Sequence, residues 1–316
     1  MMDAGSRSVS ALNSAGVPAT LTPSAVNPTA ASPSAPAALT EGQRAAFLTL
    51  LTDDDPAIYQ LIRGKIIEQG QPARDWLRGH TLSSDPVLRR RAQEIVDYFE
   101  RGAADNRFLA FCLSRGEDMD LEQAIWLLCQ TQYPNINALA YTALFDSYAA
   151  DLRVRIDFGA PLDRIIGTIN HYLFNELGFA GNEAAYYDPD NSYLNRVVDR
   201  RTGNPISLCV VYLAVARRLR LPVTGIGMPG HFVCRLQTSK GEVYIDPFRK
   251  GKLLTKGDCI KFLINSGHDF HDGFLSPVTP RRILQRICAN LHHIYSDLGL
   301  AEETTRFQRY IVALSK

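Results

Sequence analysis

No CxxC pair occurs in this 316-residue chain, although it carries six cysteines, at 112, 129, 209, 234, 259 and 288. The lack of such a pair argues against a thiolate zinc site and a thioredoxin-like redox motif. Most of them sit inside apolar patterns, so free buried thiols in a reducing cytoplasm are expected. No apolar run reaches the roughly 18 residues that a membrane-spanning helix needs, so no membrane partner is expected. Nor is there an excess of charge. The formal net charge is +1, and no stripe interleaves basic with aromatic residues, which speaks against binding nucleic acid or acidic membranes.

The first 40 residues are poor in charge, with only Asp3 and Arg7, and rich in small residues: ten alanines, seven serines, five prolines and four threonines. Such a stretch cannot bury a core and predicts a disordered tail over 1–40. It also lacks the basic start, apolar centre and small-residue cleavage site of a secretory signal.

What remains is ordinary for a soluble globular protein, with 46% hydrophobic and 21% charged residues. Order is predicted to begin at Thr40-Glu41-Gly42-Gln43, a capping box. Asp53-Asp54-Asp55-Pro56 opens a second helix, whose apolar positions Ile58, Leu61, Ile62 and Ile66 recur at helical spacing. Ser84-Asp85-Pro86 repeats the device before a helix over 87–99. Further helices are read over 121–129 (capped by Asp118 or Asp120), 136–152, and along the stripe Leu162, Ile165, Ile166, Ile169, Leu173 and Phe174. A tyrosine-rich loop over 186–194, pinned by the Asn191 side chain, precedes a short helix over 194–200. Then come a helix over 204–220, strands over 223–228, 231–236 and 243–245, and helices over 255–264, 281–298 and 302–314. The fold class is α+β: a helical region over 41–114 resembling HEAT hairpins, then a core over 115–316 closed by two helices.

His231 and Asp246 are the strongest candidates for chemistry. On adjacent antiparallel strands, a carboxylate can accept the imidazole's Nδ1–H and hold the ring in one tautomer. The competing structural reading is that His231 follows a Pro229-Gly230 turn and Asp246 caps Pro247-Phe248. A nucleophile is available at Ser207 or Cys209, both in the first turns of a helix capped by Asn204, where orphan amides stabilise an anion. Only one of the two can face His231, because they lie roughly 200° apart around the helix. Serine can instead bond back to the helix end, and Cys209 can be a small buried hydrophobe. Arg200 and Arg201 adjoin this region and can bind an anion or pair with Asp188 or Asp199. His292-His293 with Cys288, and His268 with His271, have suggestive spacings without further ligands, so neither a metal nor a cofactor is expected.

The segments Arg201-Thr202-Gly203-Asn204-Pro205-Ile206-Ser207-Leu208, Met228-Pro229-Gly230-His231-Phe232 and Ile245-Asp246-Pro247-Phe248 resemble the core of the SirB1 family of transglutaminase-like proteins. Gly178-Phe179-Ala180-Gly181-Asn182 and the run from Asp188 to Asn195 are similar to that family's approach to the core. The resemblance covers residues 115 to 300. It implies a helix packed on a small antiparallel sheet, with His231 and Asp246 in the roles of base and orienting acid. The related enzymes attack an amide carbonyl with a helix N-terminal cysteine, whose place here falls within Pro205 to Ser207, where there is no cysteine.

Two functions therefore compete. The first is a binding or scaffold module with a degenerate catalytic site, offering its helical N-terminal region to a protein partner. The second is an amide or ester hydrolase using Ser207, or alternatively Cys209, with His231 and Asp246.

Overall fold

The computed structural model describes residues 39–239 and 241–316. The predicted tail over 1–40 lies almost wholly outside the described residues. The chain opens with α1 (Glu41–Leu51), whose Thr40 capping box forms as read: Gln43 N–H donates to Thr40 Oγ1, and Gln43 Oε1 accepts from the Thr40 amide. Asp55 and Asp85 cap α2 (Pro56–Glu68) and α4 (Pro86–Ser114) through amides two residues on, with proline in the first helical turn. Each such cap stabilises by about 1 kcal/mol. Between them lies α3 (Gln71–Arg78), which opens without a side-chain cap and with Pro72 in its first turn.

The α4 helix runs 29 residues, well past the stretch expected from its pattern. Its first half closes a small core with α1 to α3, where Ala92, Ile95 and Val96 meet Leu51, Ile62, Ile66 and Leu77. Its second half puts Phe108, Phe111 and Cys112 into the main core of the protein. One continuous helix thus serves both cores.

The main core continues through α5 (Leu121–Gln132), capped by Asp120, and α6 (Ala138–Arg153). Next come α7 (Leu162–Asn170), extended by a wider turn over 171–176, and α8 (Leu194–Arg200). Short β1 (Ala180–Gly181) and β2 (Thr202–Gly203) pair in parallel and bring the tyrosine-rich loop beside the start of α9 (Pro205–Arg218). Asn191 pins that loop, donating to Ala185 O at 2.7 Å and Tyr186 O at 3.1 Å. The α9 helix is buried nearly all round, as a helix apolar on every face must be.

The sheet is antiparallel in the order β3 (Val223–Met228), β4 (His231–Thr238), β5 (Gly241–Asp246), β6 (Lys252–Leu254). Pro229 and Gly230 connect β3 to β4; the φ of +72° at Gly230 is the left-handed value that a type II turn demands. Residues alternate between faces. Phe232, Cys234, Leu236 and Ile245 face α9, while Met228, Val233 and Tyr244 meet Cys259 and Leu263 of α10 (Lys256–Asn265) on the other side. Helices α11 (Pro280–Asp297) and α12 (Ala301–Leu314) close the molecule. They are tied to α4 by buried Arg281, which donates to Cys112 O, Arg115 O, Ala313 O and Leu314 O at 2.8 to 2.9 Å. One guanidinium thereby satisfies the carbonyl ends of two helices. The architecture is α+β, as expected.

Candidate functional site

The site begins with strand alternation. His231 is the first residue of β4 and Asp246 the last of β5, and both lie in the face set of Val233 and Tyr244. They meet as a pair: His231 Nε2–H donates to Asp246 Oδ2 at 2.8 Å. The nitrogen used is Nε2 rather than the expected Nδ1. The reason is the diagonal offset at the end of the ladder, which presents the far side of the ring to the carboxylate. Asp246 is only 1% exposed, and its other oxygen accepts the Arg249 amide at 3.3 Å, so it also caps the turn over Pro247–Arg249. Asp246 thus caps the turn as read from the sequence while also holding the His231 ring, through Nε2 rather than Nδ1.

The His231 ring is nine-tenths buried, with Phe262 of α10 at 5.3 Å and Phe248 edge-on at 6.2 Å. Its Nδ1 makes no hydrogen bond among the described residues. The pair lines a cleft of about 310 Å³ between the sheet end and α10. Met228, Leu254, Cys259 and Phe262 form its apolar walls; Arg249, Lys252, Asp258, Lys261 and Asn265 supply its polar groups. Asp258 is held below the usual carboxylate range by the Thr255 amide and hydroxyl, with Lys261 and Lys252 adding to the effect. The lysines, Arg249 and Phe262 carry no motif, and nothing in the sequence marked them.

The helix residues are occupied elsewhere. Ser207 Oγ donates to Asn204 O at 3.1 Å and lies against Gly203, where an added Cβ would stand 2.6 Å from it. The Ser207 amide is taken by Asn204 Oδ1 at 3.0 Å, so Asn204 is the N-cap and that orphan donor is spent. Asn204 in turn donates to Ser192 Oγ at 2.8 Å, locking the helix start to the tyrosine-rich loop. Cys209 Sγ points at Phe232 O, 3.5 Å away on the α9 side of β4. The strand backbone therefore stands between this thiol and the His231 ring. Burial pushes the Cys209 thiol well above its ordinary pKa, with Cys234 adding to the effect. Of Pro205 to Ser207, where the resemblance put the catalytic cysteine, all three are buried and only Ser207 carries a hydroxyl, which is bonded to Asn204 O.

The remaining candidates have structural partners. Arg200 pairs with Asp188 at 2.8 Å and Asp190 at 3.3 Å, and Arg201 donates to the Tyr148 hydroxyl. Cys288 is in the core, His293 pairs with Asp297 at the surface, and His268 and His271 are exposed. Among the described residues, no three His, Cys, Asp or Glu side chains converge in a way that could hold a metal ion. No helix of the described residues is long and apolar enough to cross a membrane.

Residue Arg286 of α11 went unnoticed in the sequence. Its Nη2 donates to Met228 O at 2.7 Å and His231 O at 3.0 Å, bracing the turn that carries His231. Gly227 leaves room for it, since a Cβ there would meet Arg286 Nη1 at 3.1 Å.

A profile of the transglutaminase-like superfamily matches residues 140–289. A UPF0162 protein of Xylella fastidiosa is 36% identical over 204 residues, which is 63% of this chain and 73% of that protein. A UPF0162 protein of Pseudomonas aeruginosa is 28% identical over 198 residues, covering 60% of this chain and 69% of its own length. F-box only protein 21 of Homo sapiens is 31% identical over 179 residues, 54% of this chain but 27% of that protein. No solved structure matches significantly. With that extent of shared sequence, and with a transglutaminase-like match over residues 140–289, the chain belongs to the UPF0162 protein family.

Proposed function

We propose that this protein is a non-classical, SirB1-like member of the transglutaminase-like superfamily that binds a ligand or partner without turning it over. One observation carries the reading: the hydroxyl and thiol of α9 are bonded to Asn204 O and Phe232 O, while His231 and Asp246 look into a cleft on the α10 side. An acyl-transfer site needs its nucleophile within hydrogen-bond reach of the base. Here the base is oriented and neither candidate nucleophile is bonded to it. The relatives support a modular role, since the segment shared with F-box only protein 21 makes up only 27% of that chain. The HEAT-like helices over 41–114 would present the protein-partner surface; Leu61 and Leu82 there are 60% and 88% exposed. Six unpaired cysteines suit a cytoplasmic location.

A second reading keeps one observation on its side. The bond between His231 and Asp246 is formed, as an amide or ester hydrolase using Ser207 or Cys209 would require. The test separates the two. Purified protein is assayed against p-nitrophenyl esters and against glutamine peptides with an amine acceptor. The binding reading expects rates equal to those of the His231→Gln variant. Turnover that this substitution abolishes would sink it.

A further inference from the structure

We infer that the cleft between β4, β5, β6 and α10 is a recognition site for a carboxylate carried on a short apolar body, with Lys252 and Lys261 receiving the charge beside the His231 ring. The inference rests on the binding reading above and names what that site would take.

Three observations point the same way. The His231 ring is 8% exposed, lines the cleft and holds Asp246 through Nε2, which leaves Nδ1 without a partner in a mostly buried setting. With Nε2–H given to Asp246, Nδ1 is a hydrogen-bond acceptor open to solvent, which suits an N–H carried beside the ligand's carboxylate. Second, the charges of the lining do not cancel. Arg249, Lys252 and Lys261 stand against Asp246 and Asp258, and both carboxylates are already engaged. Asp246 accepts from His231 and the Arg249 amide, while Asp258 accepts from the Thr255 amide at 2.9 Å and hydroxyl at 2.7 Å. Neither Lys252 nor Lys261 forms an ion pair with a carboxylate among the described residues. Third, the opposite walls are Met228, Leu254 and Phe262, which favour an apolar body over a bare inorganic anion. At about 310 Å³ the cleft lies at the small end of the range for ligand sites, fitting one or two residues' worth of ligand. A free organic acid and the C-terminus of a peptide share this chemistry.

The experiment follows the His231 ring signals by NMR in the full chain, assigned by their loss in His231→Gln. The probes are N-acetyl-leucine, its amide, a pentapeptide ending in leucine with a free carboxylate, and inorganic phosphate. Both carboxylates are expected to shift the ring signals in a saturable way, while the amide and phosphate do not. Tighter binding of the pentapeptide would identify a chain terminus as the source, and equal binding a free acid. Because Lys252 and Lys261 are exposed, the double variant Lys252→Gln/Lys261→Gln retains the fold, and it should weaken binding about tenfold or more. Equal response to acid and amide, or to phosphate, overturns the inference, as does an unchanged affinity in the double variant. Turnover is read separately with N-acetyl-leucine p-nitroanilide. Nitroaniline release that depends on His231 would defeat the non-catalytic reading alone, and a missing carboxylate response would defeat the carboxylate site alone.

Discussion

His231 and Asp246 meet diagonally across the end of the β4 and β5 ladder, with Nε2–H donating to Oδ2 at 2.8 Å inside a nearly water-free setting. Asp246 holds the ring through one oxygen and, through the other, holds the turn after β5 by way of the Arg249 amide. Orientation of the ring and closure of the sheet end are therefore one structural event.

We predict that this pair is energetically coupled. A double-mutant cycle of His231→Ala and Asp246→Ala, followed by urea unfolding, should give a coupling of about 1–3 kcal/mol. Asp246→Ala should be the costlier single change, because it also strands the Arg249 amide. Strict additivity would mean the bond contributes nothing to stability.

Thiol chemistry gives a second prediction. All six cysteines are buried. Burial pushes Cys112, Cys129 and Cys259 up to about 12, with nearby Asp258 and Asp246 adding to the effect at Cys259. The thiolate is the reactive form, so at pH 8 a group titrating near 12 is ionised in only about one molecule in 10⁴. Raising the pH from 8 to 9 should therefore leave native iodoacetamide labelling near zero. Unfolding in guanidinium should expose six reactive thiols. Rapid native labelling of Cys209 would restore a thiol mechanism.

The acid limb of stability should report Asp190. Burial works to raise its pKa, but hydrogen bonds from Tyr133 and Arg196, with Arg200 alongside, outweigh burial and hold it below the usual carboxylate range. A depressed folded value means the stabilisation is full above the unfolded carboxyl pKa of about 3.9 and is lost as pH falls through the lower folded value. Asp190→Asn should thus be less stable than wild type at pH 7, with the gap closing as pH falls below the ordinary carboxyl range. A gap that stays constant as the protein is acidified would remove Asp190 from the linkage.

Local signals carried most of the fold into view. Thr40, Asp55, Asp85, Asn204 and Thr255 each cap the helix their sequence context announced, because capping depends on residues within three positions. The short helix over 194–200 and strand β3 also fall where they were read. The 29-residue length of α4 was not legible, since its second half is held by distant partners such as Tyr310, whose ring meets Phe108. Strand β6 escaped for the same reason: its three residues are a strand only through pairing with β5. At the site, His231 and Asp246 stood out as residue types. The side of the sheet they face depends on register and on α10, and Lys252 and Lys261 join them only through that packing.

Arg286 supplies the last prediction. Its guanidinium is largely buried, and that burial lowers its pKa from the usual arginine value. Among the described residues it has no carboxylate partner; instead it bonds the carbonyls at both ends of the Pro229-Gly230 turn and lies 5.5 Å from the Phe232 ring centre. Two opposing quantities decide what Arg286→Met does. Two charge-assisted bonds are lost at about 1.5–3 kcal/mol each, while the cost of burying a lone cation, several kcal/mol, is recovered. The net destabilisation should be modest, about 1–2 kcal/mol, because much of the lost bonding is offset. The local effect should be larger. With Met228 O and His231 O unbraced, the turn gains freedom, and the amides of Gly230 and His231 should exchange hydrogen faster while the His231 ring signals broaden. Arg286→Lys keeps the charge but loses the fork geometry that reaches two carbonyls at once, so it should fall between wild type and Arg286→Met. If Arg286→Met leaves both amide exchange and ring signals unchanged, the arginine does not position His231, and its burial must serve the packing of α11 against β4 alone.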